Sequence, residues 1–263
     1  MTRLTQRALV AAAVAMMVPP PQPHRTDPLT GMPFVLIPPG EFEMGTPGTE
    51  PKREPQERLH HVRLTHPFYL GVHEVTQGEW KQVMGINPAH FTACGPDCPI
   101  ERVTFFDVRR FLDRLNARSE WPGFRLPTEA EWEYACRAGG AAAFGNSASL
   151  TASDANVDGR YPYPGGPPGL SRGATARVQS FPPNRWGLFD MSGNVWEWTA
   201  DPHCPYSTNA TDPLATCQSP HQVIRGGSWF FGADSARCGL RYTHRPQDRG
   251  FSLGVRLAHA AEE

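Results

Sequence analysis

Twenty-five glycines and 28 prolines in 263 residues set the first limit on how this chain can fold. Proline fixes φ and removes a backbone donor, and glycine raises the entropic cost of ordering a helix or strand. A chain punctuated this often is no helical bundle; it needs long stretches of defined but irregular backbone. Nothing in its middle reads as a linker, so the length predicts one large domain rather than two small ones. The 25 basic and 26 acidic residues are spread along the chain and leave a formal charge of -1. That gives no electrostatic footprint for nucleic acid or an acidic membrane, and no nucleic-acid partner is expected.

The N-terminus reads as an export signal over residues 1–18. Arg3 and Arg7 form a short basic region, Ala8 to Val18 an apolar run, and Pro19, Pro20 and Pro21 stop any helix. The run is too short to span a bilayer, which takes about 20 residues. A short apolar or membrane-associated N-terminus is the alternative, since no A-x-A cleavage site follows. No other stretch is long and apolar enough to cross a membrane, so the mature chain is expected without a transmembrane helix. Six cysteines, an even number, fit an oxidising compartment and a periplasmic or secreted location. Residues 19–31 are proline-rich and without periodicity, which predicts a tail ahead of a folded domain over 32–259.

Within that domain, Phe34–Ile37, Pro38-Pro39-Gly40 and Phe42–Met44 predict an entry hairpin, and Val62, Leu64 and Phe68–Leu70 resume strand character. Three helices announce their starts with capping boxes. Thr76 with Glu79 opens the first, Val75 and Trp80 being placed as a hydrophobic staple; Thr104 with Asp107 opens the second. Val108, Phe111, Leu112 and Leu115 then recur at helical spacing. Thr128 with Glu131 opens the third, which should run to about Arg137 and stop at Gly139-Gly140. Beyond it the chain is mostly turns and short strands, with no tandem repeat.

The third helix and the segments after it carry a resemblance. Arg125-Leu126-Pro127-Thr128-Glu129-Ala130-Glu131-Trp132-Glu133-Tyr134-Ala135, Gly187-Leu188-Phe189-Asp190-Met191, Gly193-Asn194-Val195-Trp196-Glu197-Trp198, Arg225-Gly226-Gly227-Ser228-Trp229 and the closing Gly254-Val255-Arg256 are similar, in order, to the blocks of the formylglycine-generating (sulfatase-modifying) enzyme family. The resemblance covers nearly the whole mature chain. It implies an α+β, C-type-lectin-like formylglycine-generating-enzyme fold that is low in regular secondary structure.

It also implies loops stiffened by calcium. One site would use the side chains of Asp190, Glu197 and Asn194 with backbone oxygens near Gly193 and Val195, a hard-oxygen set of the kind calcium takes. Read from the residues alone, Asp190 and Glu197 could equally pair with arginines. The family's other site would begin at Asn156 and Val157, but residues 159–174 carry no acidic partner at the matching place.

The cysteines decide the chemistry. Enzymes that make formylglycine hold copper with two cysteines after the Arg-Gly-Gly-Ser block; here those positions are Phe231 and Ala236. Neither supplies the soft thiolate that holds copper(I), so copper is not expected. Spacing back from Gly254 matches Cys238 to the family's structural cysteine, whose partner is Cys136. Cys94 would then close a small loop with Cys98, and Cys204 would pair with Cys217, one set among many that six cysteines allow. The Cys94-to-Cys98 motif reads as a staple ahead of a redox pair. His60, His61, His66 and His73 cluster without the spacing of a metal-binding motif, and read as surface histidines. Ser228 and Trp196 are the candidates for a cleft, with Trp198 and Trp229 as core.

Three functions remain open at this level. The first is a maturation-type oxidoreductase of the superfamily that works without the copper-dithiol mechanism. The second is a non-catalytic lectin-like module that binds a peptide, a glycan or a partner protein. The third is formylglycine synthesis on a sulfatase cysteine, which the missing thiols oppose.

Overall fold

The computed structural model describes residues 24–261. The expected export signal lies outside the described residues. Twelve short strands and three helices follow one another with long irregular connections between them. Within the tail expected over residues 19–31, His24–Thr26 forms strand β1, antiparallel to β2 (Pro33–Ile37), and Asp27 is buried and accepts a hydrogen bond from the Ser119 hydroxyl. Composition marks this stretch as loop-like because composition carries no record of a partner strand.

The expected entry hairpin does not form: the Pro38-Pro39 turn leads from β2 to β3 (Gly40–Met44), but the two strands pair with other partners in different sheets. β3 pairs antiparallel with β4 (His60–Leu64), while β2 pairs antiparallel with β5 (Phe68–Gly71), setting Val35 opposite Leu70 and Ile37 opposite Phe68. Helices α1 (Gln77–Met84) and α2 (Phe105–Arg118) start at Thr76 and Thr104 with both capping boxes formed. Trp80 of α1 stacks on Phe111 of α2 at 4.7 Å between ring centroids, which locks the two helices into the main core. β6 (Phe124–Arg125) leads to α3 (Glu129–Arg137), capped by Thr128 and Glu131 and ended by Ala138 in the left-handed region.

After α3 no named strand or helix occurs until β7 (Trp196–Pro202), as the glycine and proline content predicts. β8 (Asn209–Thr211) adds in parallel to β4, β9 (Gln222–Arg225) and β10 (Tyr242–His244) complete a sheet with β7, and β11 (Leu253–Gly254) joins it in parallel beside Trp196 and Glu197. β12 (Ala258–Ala260) returns between β5 and β6, closing a five-stranded sheet in the order β1-β2-β5-β12-β6.

Buried ion pairs fasten α3 and β7 to Arg225, Arg241 and Arg256 further along the chain. Glu133 pairs with Arg225, Glu129 with Arg241 at 2.7 Å, and Glu197 with Arg256 at 2.9 Å. Each arginine also donates to backbone carbonyls, so the guanidinium groups are satisfied on several sides. A buried charge is tolerated only when paired and hydrogen-bonded in this way. The motif arginines are therefore fasteners of the fold.

Candidate functional site

The loop from Asp190 to Glu197 is shaped by left-handed residues at Asp190, Gly193 and Asn194. At Gly193 the requirement is spatial as well, since a Cβ there would come within 2.5 Å of the Asn156 carbonyl. Glu197 is fully buried, and both its oxygens accept from Arg256, Nε lying 3.0 Å from each; Oε2 also accepts from Trp132 Nε1 at 2.5 Å. Of the two readings the sequence leaves open, arginine pairing thus holds for Glu197. Asp190 makes no such pair; its Oδ2 accepts from the Gln179 backbone at 2.8 Å. Behind them, buried Glu74 accepts from Asn194 Nδ2 at 3.1 Å and from the Val195 backbone at 3.2 Å.

Glu74, Asp190 and Glu197 interact electrostatically with one another and with one guanidinium, Arg256. Burial, with Asp190 and Glu197 adding to it, pushes Glu74 well above the usual carboxylate range, and burial lifts Asp190 to about 6. With all three ionised the cluster would carry more negative charge than one arginine balances, and the raised pKa values of Glu74 and Asp190 are the consequence. Among the described residues no three His, Cys, Asp or Glu side chains form a metal-holding group, so a cation here would take much of its shell from backbone oxygens. At the second expected position, Val157 is fully buried and Asn156 donates to Ala174 O and Asn194 Oδ1, both at 3.0 Å, while its own Oδ1 is buried without a partner. The Thr175 hydroxyl is likewise buried and unpartnered.

The Arg-Gly-Gly-Ser segment leaves β9 through two left-handed glycines, and at Gly227 a Cβ would press within 2.8 Å of Ser235 O. This tight turn carries the chain inward at Ser228. Ser228 is completely buried and Trp196 is 2% exposed, so neither cleft candidate faces solvent. Trp196 lies stacked on Tyr242 at 5.5 Å and edge-on to Phe231 at 5.9 Å. The physical cause is local packing, since the rings of Phe231 and Tyr242 lie against the indole. Ser228 Oγ and Trp196 Nε1 both lack a hydrogen-bond partner, which is unusual for buried polar atoms. Ala236 is fully buried. Trp198 and Trp229 are core, as expected, donating to Val103 O and Phe251 O.

In place of a cleft the segment presents an aromatic surface. Phe230, Phe231, Phe251 and Tyr242 are 52%, 38%, 43% and 47% exposed. Phe230 touches Phe231 and Phe251, each at 5.5 Å between centroids, and Trp229 joins Phe230, Phe251 and Phe91 from below at 5.2 to 5.7 Å. Single exposed apolar residues need no explanation, whereas contiguous ones mark interaction surfaces. Sequence reasoning passed over Phe230 and Phe251; the run Trp229-Phe230-Phe231, three aromatics soon after a glycine turn, is the signal that could have found them.

All six cysteines are bonded, as Cys136–Cys238, the pair the resemblance implies, and as Cys94–Cys98 and Cys204–Cys217, the pairs expected for the remaining four, and none is free. The histidines do not converge. His60 is buried against Tyr206, His61 lies between Glu41 and Glu43, His66 is exposed, and His73 hydrogen-bonds Glu74 O, with burial lowering its pKa.

Residues 20–261 match the family model of the sulfatase-modifying factor enzyme 1-like domain. The chain is 31% identical to hercynine oxygenase of Mycolicibacterium smegmatis over 85% of its own length and 60% of that protein. It is 28% identical to the formylglycine-generating enzyme of Bos taurus over 89% of this chain and 76% of that one. The solved structure of PvdO from Pseudomonas aeruginosa superposes with a TM-score of 0.77 at 29% identity, covering 92% of this chain and 99% of that one.

Proposed function

This chain belongs to the sulfatase-modifying factor enzyme 1-like family, and from that premise we propose that it is an exported binding member whose aromatic surface holds a peptide or protein partner. The α+β, C-type-lectin-like fold is the family's. One observation carries the reading: where the copper-holding cysteines of the formylglycine-generating enzymes would stand, Phe231 joins an exposed aromatic surface and Ala236 is buried. A thiophilic metal has no ligand at those positions. Aromatic side chains instead offer large, rigid contact area to a partner. Three disulfides support a periplasmic or secreted setting.

Structural calcium is part of this proposal. Asp190 with the Gly193 and Val195 backbone would hold it, Glu197 staying on Arg256 and adding negative charge from behind together with Glu74; the support is the pair of buried carboxylates, Asp190 and Glu74, whose raised pKa values mark the want of a counter-charge. Bound there, calcium neutralises and stiffens the loop.

The maturation-type oxidoreductase is the second reading. What favours it is a pair of unpartnered buried atoms, Ser228 Oγ and Trp196 Nε1, the indole lying against Phe231, so that a substrate displacing that ring would find a hydrogen-bond donor. A random peptide library panned on the full protein separates the two. Enrichment of aromatic and apolar peptides, lost in Phe230→Ser/Phe251→Ser with melting temperature unchanged, supports binding; no enrichment removes the first reading.

A further inference from the structure

The disulfide between Cys94 and Cys98 is built unlike the other two. It encloses a separation of four residues, against 102 for Cys136–Cys238 and 13 for Cys204–Cys217. Short loops gain least from a cross-link, because closing them removes the least entropy from the unfolded chain. The segment is also held without its sulfur bridge. Phe91 N donates to Glu101 at 2.8 Å, Gln77 N to Cys98 O at 2.8 Å, Gly78 N to Pro96 O at 2.8 Å, and Val178 N to Asp97 O at 3.0 Å. Opening the bond therefore leaves the backbone in place. Exposure is divided unequally: Cys94 is exposed, whereas Cys98 is completely buried. The pair also sits at the margin of the aromatic surface, since Phe91, which packs on Trp229 at 5.2 Å, precedes the short 3-10 turn Thr92–Cys94.

We propose that Cys94–Cys98 is an exchangeable disulfide that oxidises a polypeptide dithiol presented at the edge of the aromatic surface. A thiolate of the partner attacks Cys94 Sγ, on the exposed residue of the pair; the S–S bond breaks and Cys98 leaves as a thiolate that takes up a proton. The partner's second thiolate then attacks its own sulfur in the mixed disulfide, forming the partner's disulfide and releasing Cys94 as a thiolate. Two electrons pass from the partner to the protein, which ends as a dithiol. The exchange stands on the disulfide alone; its coupling to the surface rests on the binding reading above.

The test uses the full chain in graded reduced glutathione, quenched with acid, alkylated and mapped by mass spectrometry, with near-ultraviolet circular dichroism recorded in parallel. Cys94–Cys98 should open at roughly tenfold lower glutathione than either other pair, with the dichroism unchanged and glutathione attached to Cys94, because access decides which sulfur is attacked. Opening only together with Cys204–Cys217 or with loss of the dichroism signal, or attachment to Cys98, overturns it. A reduced peptide with two cysteines should recover as its disulfide in step with protein thiols, and no such product also overturns it. Aromatic residues in that peptide should speed the reaction; equal rates with and without them overturn the coupling to the surface alone.

Discussion

Phe231 stands edge-on to Trp196, with ring centroids 5.9 Å apart and planes at 74°, so the residue in the place of a copper-holding cysteine closes over the indole beneath it. The buried indole and the exposed rings around it should respond to substitution in opposite ways. Trp196→Ala empties a buried site and should destabilise by about 3–5 kcal/mol. The exposed pair Phe230→Ser and Phe251→Ser should change stability by about 0.5 kcal/mol each while removing partner binding. Thermal melts beside a binding assay check both; a large stability loss from the exposed pair would make the surface part of the core.

The Glu197–Arg256 pair should be intolerant of single changes. Glu197→Gln or Arg256→Met leaves the opposite charge buried without its partner, at a cost of about 3–5 kcal/mol. Denaturant titration gives the number. A loss below about 1 kcal/mol would place the pair in contact with solvent.

Asp190 makes stability fall as pH rises. Its folded pKa of about 6 lies above the ordinary value of 3.8, so the folded state holds the extra proton between those limits. Without calcium, the contribution of this group should be full below about pH 4 and decline through about pH 6, on the order of 3 kcal/mol at most for a shift of this size. Glu74, raised by burial as well, acts in the same direction. Calcium favours the ionised carboxylates, so its stabilisation should be larger at about pH 7.5 than at about pH 5. Melting curves with calcium and with chelator at both values test this; an equal shift at the two would sever calcium from these carboxylates.

Unfolded in denaturant without reductant, the protein should titrate no free sulfhydryl, since every cysteine is bonded. One or two titrating thiols would break the set of pairs and reopen thiol chemistry near Cys238.

Much of the frame was legible because its signals are local. Thr76, Thr104 and Thr128 each lie three residues before an acid, and all three capping boxes form. Val108, Phe111, Leu112 and Leu115 bury the face that their spacing dictates. The features that escaped depend on partners elsewhere in the chain. β1 becomes a strand only because β2 offers an edge, and Asn209–Thr211 pairs with β4 across more than half the chain. The burial of Ser228 and Trp196 was hidden for the same reason, since it depends on where Phe231 and Tyr242 fold back. The motif blocks signalled family membership correctly, yet Arg225, Arg241 and Arg256 turn out to fasten buried glutamates and do not mark the surface that would meet a partner.

With an aromatic wall in the place of a copper-thiolate centre, the protein should not make formylglycine. A Cys-x-Pro-x-Arg peptide incubated with the protein, copper and oxygen, then weighed by mass spectrometry, tests this directly. The peptide's cysteine should never be converted to formylglycine, at any protein concentration. A protein-dependent peak at the formylglycine mass would contradict the claim.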